Sequence, residues 1–219
     1  MINDLLPAGV VVAEAFGDHG GEAAFPGEES YVARAVDSRR REFVTARRCA
    51  REALAGLGIA PAPIPRGPRG EPVWPDGVIG SLTHCTGYRG AAVARRGEPV
   101  SLGIDAEPNE PLPPGILEAV TVPAERPRLG TLAGFDTQVC WDRLLFSAKE
   151  SIYKAWFPLT RRMLDFEGAD LTVDPVAGTF AATLLVPGDR VDGGPPLTGL
   201  NGRWMVRNGL VLTATTVLI

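Results

Sequence analysis

The sequence runs twice through one order of elements, a long amphipathic helix followed by short strands, and this duplication narrows the available folds more than any other feature. In the first pass Phe43, Ala46, Ala50, Leu54 and Leu57 recur at helical spacing behind the N-cap candidates Asp37 and Ser38, with Gly58 as the stop. Pro61, Pro63 and Pro65 then force an extended loop. The runs "VIGSLTH", "GAAVARR" and "VSLGIDAE" that follow have strand character. In the second pass Val139, Trp141, Leu144, Leu145, Ala148, Ile152 and Ala155 predict a helix from about Thr137 to Trp156, ended by Pro158. Strands are expected at "ADLTVD" and "GTFAATLLVP", and a hairpin joins "GRWMVR" to "GLVLTATTVLI" around Asn208-Gly209. An early strand is expected at 10–16 and a short helix from about Glu28. The pattern predicts an α+β fold of two pseudo-symmetric halves, 1–110 and 111–219, each a helix on a small, largely antiparallel sheet. Only the order of elements repeats, not the residues. A ligand would sit in the cleft between the halves.

Composition removes several classes of function. No stretch approaches the ~18 apolar residues of a membrane span, and "MINDLLPAGVVVAEAF" lacks the basic start of a signal peptide, so a cytoplasmic protein with no membrane contact is expected. A net charge of -4 argues against nucleic acid as a partner. Cys49, Cys85 and Cys140 have no C-x-x-C spacing, which suggests neither a disulfide framework nor a structural zinc site. The two histidines, His19 and His84, are too few for a histidine metal centre.

The chemistry concentrates in a few positions. In "SLGIDAEP" Asp105 and Glu107 are two apart on a strand and share a face, so their charges repel unless something positive lies beside them. In "FSAKESIYKA" Glu150 and Lys154 are four apart on a helix. Alone, that pair is an ordinary surface ion pair worth ~0.3–0.5 kcal/mol. Combined with Asp105 and Glu107, Glu150 completes three hard oxygen donors that could hold magnesium, leaving its other positions to water and phosphate oxygens. Lys154, a compact ammonium, could stabilise charge as a phosphate ester bond breaks. Lys149 is rotated by about 100° from Glu150, and two readings stand for it: contact with a phosphate from the other side, or a solvated surface residue. Arginine supplies all but these two lysines of the 22 basic residues, with seven arginines between Arg34 and Arg51. Arg39 and Arg47, eight apart, lie roughly on one side of their helix and could grip phosphate, whereas Arg40, Arg41, Arg48 and Arg51 read as a solvated face paired with Asp37, Glu42 and Glu52.

Taken in order, "IGSLTHC", "GIDAEP" and "FSAKESIYKAW", with "REFVTARRCAREAL" and "RGEPVWP" upstream, resemble the motifs of the Sfp/EntD-type phosphopantetheinyl transferases over about residues 39–160. The resemblance implies a single chain of two halves that transfers the phosphopantetheine arm of coenzyme A to a serine of an apo acyl, peptidyl or polyketide carrier protein. Magnesium is the implied cofactor, and adenosine 3',5'-bisphosphate the product. It further implies that Asp105, Glu107 and Glu150 surround the metal, and that Glu150 takes the serine proton directly or through water. Lys154, with Asp105, would assist at the diphosphate. Arg39, Arg47, Arg66, Thr83, His84, Lys149 and Lys154 would contact coenzyme A, and Gly70, Glu71 and Pro72 would border the nucleotide. A monomer is expected, since two halves in one chain can make a complete site. Two other readings of the residues are a noncatalytic module binding coenzyme A or an acidic partner, and a magnesium-dependent phosphohydrolase.

Overall fold

The computed structural model describes residues 1–97 and 99–218. In chain order the elements are β1 (Val11–Ala15), α1 (Glu29–Val32), α2 (Asp37–Gly56), β2 (Val78–Cys85), β3 (Tyr88–Arg95), β4 (Ser101–Pro108), α3 (Ile116–Val120), α4 (Glu125–Phe135), α5 (Trp141–Thr160), β5 (Ala169–Asp174), β6 (Thr179–Leu184), β7 (Gly199–Arg207) and β8 (Leu210–Val217). The strands form two antiparallel sheets, ordered β1-β3-β2 and β4-β8-β7-β6-β5. This is the expected α+β fold with two halves. Among the described residues no helix is long and apolar enough to cross a membrane.

The division at residue 110 needs correction. β4, assigned by sequence to the first half, pairs along its whole length with β8 at the end of the chain, so the sheets part between β3 and β4. The strand's own residues could not reveal this, because pairing is decided by its distant partner. The two sheets meet where β2 abuts β4, and the seam is closed by hydroxyls. Ser81 Oγ accepts from Ile104 N at 3.1 Å and Thr83 Oγ1 from Ala106 N at 3.0 Å. The period-2 spacing of Ser81 and Thr83 on β2 matches that of Ile104 and Ala106 on β4, so two N–H groups on the otherwise open edge of β4 are satisfied.

α2 lies on the smaller sheet through Cys49, Ala50, Ala53 and Leu54, against Val78, Ala91 and Val93. Its start differs slightly from expectation, since Asp37 is the first helical residue and no side chain caps it. Its end follows the sequence: Gly58 at φ +75° directs its N–H to Ala55 O, and Ile59 N reaches Leu54 O at 3.1 Å. α5 lies on the larger sheet. Gly103 makes that approach close, because a Cβ there would stand 2.0 Å from Ser151 O and 2.7 Å from Ala155 N. Hydroxyl pairs Ser147–Thr213 and Ser151–Thr215, each 2.9 Å, join the helix to β8. Beyond Pro158 the helix continues to Thr160 and stops at Arg161 in the left-handed region, φ 56°, so proline costs a hydrogen bond here without ending the helix. A third cluster containing Ile2, Leu5, Tyr88, Leu102, Ile104 and Leu212 fills the opposite side of both sheets and binds the halves together.

Candidate active site

A crevice of about 860 Å³ opens between the halves, within the roughly 300–1,000 Å³ usual for small-molecule sites. Its walls are α2, the loop 66–77, β2, the end of β4 and the middle of α5. Arg39, Arg47, Arg66, Thr83, His84, Asp105, Glu107, Glu150 and Lys154 all line it, as do Gly70, Glu71 and Pro72. Residues as far apart in the chain as Arg39 and Lys154 thus line one cavity.

One end is acidic. Asp105 is 4% exposed, and its Oδ1 accepts from Lys154 Nζ at 2.7 Å and from Thr83 Oγ1 at 3.2 Å, while its Oδ2 is buried with no hydrogen-bond partner among the described residues. Lys154 also donates to Ile104 O at 3.1 Å, so it is held by β4 and not by Glu150 one turn before it. Glu107 Oε2 accepts from Arg143 Nη1 at 3.1 Å. Burial, and then the charge of Asp105, push Glu107 up to about 7 against the pull of Arg143 and Lys154. Glu150 is raised as well, by burial first and also by Asp105, with Lys154 opposing. Both shifts come first from burial, and the Asp105 charge adds the repulsion expected within "GIDAEP" and across to Glu150.

These three carboxylates are the residues that could hold a divalent cation. Among the described residues no group of three acidic, His or Cys side chains already stands at metal-holding spacing. Lys154 and Arg143 instead occupy two of the carboxylates. The donor set fits a hard cation nonetheless: all its ligating atoms are oxygens, and the buried Oδ2 of Asp105 has no hydrogen-bond partner among the described residues.

The other end is basic. Arg47 is 4% exposed, lies 5.0 Å over the Phe43 ring, and makes no ion pair among the described residues, with its Nε buried and unpartnered. Burial above all lowers its pKa to about 10; Glu28 opposes this, and Arg66 and Arg51 add to it. Arg39 Nη1 donates to Glu42 Oε2 and lies 3.0 Å from His84 Nε2. A guanidinium can only donate, which makes Nε2 the acceptor and leaves the proton of the neutral ring on Nδ1. Burial and then the Arg39 charge lower the His84 pKa, against the pull of Glu42. Arg66 is carried by a short hairpin closed by its bridge to Pro72.

Three expectations change here. Lys149 neither faces the crevice nor lies in solvent: it is 4% exposed and donates to Glu125 Oε2 at 2.8 Å and Phe166 O at 2.7 Å. The turn of about 100° from Glu150 carries it behind the helix, where Glu125 also accepts from Val122 N and Leu171 N. Thr83 lines the crevice, but its hydroxyl is spent on Ala106 N and Asp105, so it orients the carboxylate. Arg51 is paired with Glu28 at 2.8 Å, not with Asp37, Glu42 or Glu52. Sequence reasoning missed Arg143, whose signal was present: it lies seven residues, two turns, before Glu150 and so shares its face.

Comparison with known proteins agrees with this division into halves. The family model described as the 4'-phosphopantetheinyl transferase N-terminal domain matches residues 27–94, and that of the 4'-phosphopantetheinyl transferase superfamily matches 101–189. The chain is 56% identical to the 4'-phosphopantetheinyl transferase Svp of Streptomyces mobaraensis, over 99% of this chain and 89% of that protein. It is 50% identical to the 4'-phosphopantetheinyl transferase PptT of Mycobacterium tuberculosis, over 98% of this chain and 96% of that protein. Similarity to enterobactin synthase component D of Salmonella typhimurium is weaker, 34% over 54% of this chain and 48% of that protein.

Proposed function

Since the chain belongs to the 4'-phosphopantetheinyl transferase superfamily and is a transferase, we propose that it moves the phosphopantetheine arm of coenzyme A to a serine of an apo acyl, peptidyl or polyketide carrier protein, with magnesium. The observation that carries this reading is the polarity of the crevice: an unpaired buried guanidinium, Arg47, lies at one end and three crowded carboxylates at the other. Coenzyme A has the matching polarity, a ribose phosphate at one end and a diphosphate joined to the arm that is transferred.

In this reading Arg39, Arg47, Arg66 and His84 hold the nucleotide phosphates, and Arg47 meets its ligand with no internal partner to displace. Magnesium, when bound by Asp105, Glu107 and Glu150, would neutralise diphosphate charge and make the phosphorus a better electrophile. The serine oxygen forms a bond to the phosphorus bearing the pantetheine arm, and the bond from that phosphorus to the bridging oxygen breaks. Adenosine 3',5'-bisphosphate leaves with the bridging oxygen, whose charge Lys154 stabilises from its place beside Asp105. Glu150, raised in pKa and free of hydrogen bonds among the described residues, takes the serine proton directly or through water.

Intact-mass analysis of an apo carrier incubated with the protein, coenzyme A and magnesium tests the reading. The carrier should gain the mass of the phosphopantetheine arm, and Glu150→Gln should lower the rate by more than about 100-fold, as loss of a general base does. Unchanged mass across acyl, peptidyl and polyketide carriers would contradict it. Release of phosphate from coenzyme A without carrier would point to a hydrolase.

A further inference from the structure

α2 carries two buried arginines one turn apart, and the structure treats them differently. Arg47 lines the crevice without a hydrogen-bond or ion-pair partner among the described residues, whereas Arg51 lies outside it. What separates them is Glu28, 0% exposed, at the start of α1. Its Oε1 accepts from Arg51 Nη1 and from Ile64 N, both at 2.8 Å, and Arg51 is further held 4.3 Å over the Phe25 ring. Its Oε2 is buried with no partner, as is Arg47 Nε. Glu28 is close enough for its charge to act on Arg47, yet no ion pair joins them among the described residues. One buried carboxylate is thus paired with one of two buried guanidinium groups a turn apart on α2, and each of Glu28 and Arg47 keeps a buried atom without a partner among the described residues.

We propose that Arg51 is a positioning residue for the phosphate subsite: by holding Glu28 it keeps that carboxylate off Arg47, leaving the Arg47 charge for a phosphate of the ligand. The inference rests on the reading of Arg47 as a coenzyme A contact. Without Arg51, Glu28 would be left buried beside a single cation. A buried carboxylate takes whatever positive partner it can reach. Arg47 would then be neutralised from behind, and a phosphate would have to displace Glu28 to bind. Glu28 is thus a competitor held in check, and its removal should not weaken binding even though it lies next to the subsite.

The test is calorimetric titration of coenzyme A into the full chain and its variants. Arg51→Met should weaken binding by about tenfold or more, equivalent to one charge-assisted bond, although Arg51 does not reach the crevice. Glu28→Gln keeps an acceptor for Ile64 N and removes the charge, so it should bind at least as tightly as the parent. The double variant Glu28→Gln/Arg51→Met should recover most of the lost affinity, a restoration that a merely structural role for Arg51 would not produce. In a crystal of Arg51→Met the Glu28 carboxylate should lie within about 4 Å of the Arg47 guanidinium. The proposal is overturned if Arg51→Met binds like the parent, if the double variant stays as weak as Arg51→Met, or if Glu28→Gln alone weakens binding tenfold. Should Arg51→Met not fold, the sign of the Glu28→Gln effect still decides. A parent protein that takes up no coenzyme A would instead count against the functional reading, and the crystal of the variant would judge the inference by itself.

Discussion

Replacing Arg47 with methionine should weaken the ligand and strengthen the protein. The guanidinium is 4% exposed and has no ion pair among the described residues, and burial above all lowers its pKa from the ordinary arginine value to about 10. A lowering of that size corresponds to a cost on the order of 3 kcal/mol for keeping it charged in the fold. Because the folded pKa is lowered, that cost is present in full below about pH 10 and disappears above the unfolded value. Methionine retains most of the packing but loses the contact with Phe43, worth about 0.5–1 kcal/mol. A net gain of about 2–2.5 kcal/mol remains, which for a chain of this size raises Tm by roughly 4–10 °C. Coenzyme A binding, in contrast, loses at least one charge-assisted bond of about 1.5–3 kcal/mol, a 10- to 150-fold rise in Kd. Thermal melting and calorimetric titration of the same preparation measure both. A lower Tm with unchanged affinity would refute the reasoning, because Arg47 would then be a structural residue.

Lys149→Met should cost about 3–5 kcal/mol in chemical denaturation by leaving the buried Glu125 carboxylate uncompensated, with coenzyme A affinity of the folded fraction unchanged; a selective loss of affinity would restore Lys149 to the site. Gly103→Ala should cost about 3 kcal/mol or more, since the new methyl would meet the α5 backbone, and a denaturation midpoint like that of the parent would contradict the close packing of β4 on α5. His84 is held neutral by burial and by Arg39, so a phosphate dianion beside it should raise its pKa and draw a proton into the complex near pH 6–7. Titrations in buffers of different ionisation enthalpy should show that uptake, and identical apparent enthalpies would exclude it.

Local pattern made the helices and strands legible because apolar spacing and turn residues report on each segment alone. The hairpin at Asn208-Gly209, with φ of 53° and 75°, follows directly from its residues. α4 escaped notice because Pro127, Gly130 and Gly134 interrupt it and only Leu129 and Leu132 reach the core. The acidic face of β4 and the Glu150–Lys154 face of α5 were readable from periods of 2 and 3.6, and both line the crevice. Which partner each charge chooses was not readable. Lys154 prefers Asp105, Lys149 turns to Glu125 and Arg51 to Glu28, across 24 positions or more in every case except Arg51, at 23. Such pairings are decided by burial and by the neighbouring carboxylate, which exist only once the halves have packed.

A crystal of the protein grown with coenzyme A and magnesium bears most directly on the central claim. The account predicts a cation at about 2.0–2.1 Å from carboxylate oxygens that include Asp105 Oδ2, with Glu107 and Glu150 completing the protein ligands, the diphosphate beside it and a phosphate on Arg47. A cation bound elsewhere, with Asp105 and Glu107 still held by Lys154 and Arg143 and Arg47 without a phosphate, would contradict it.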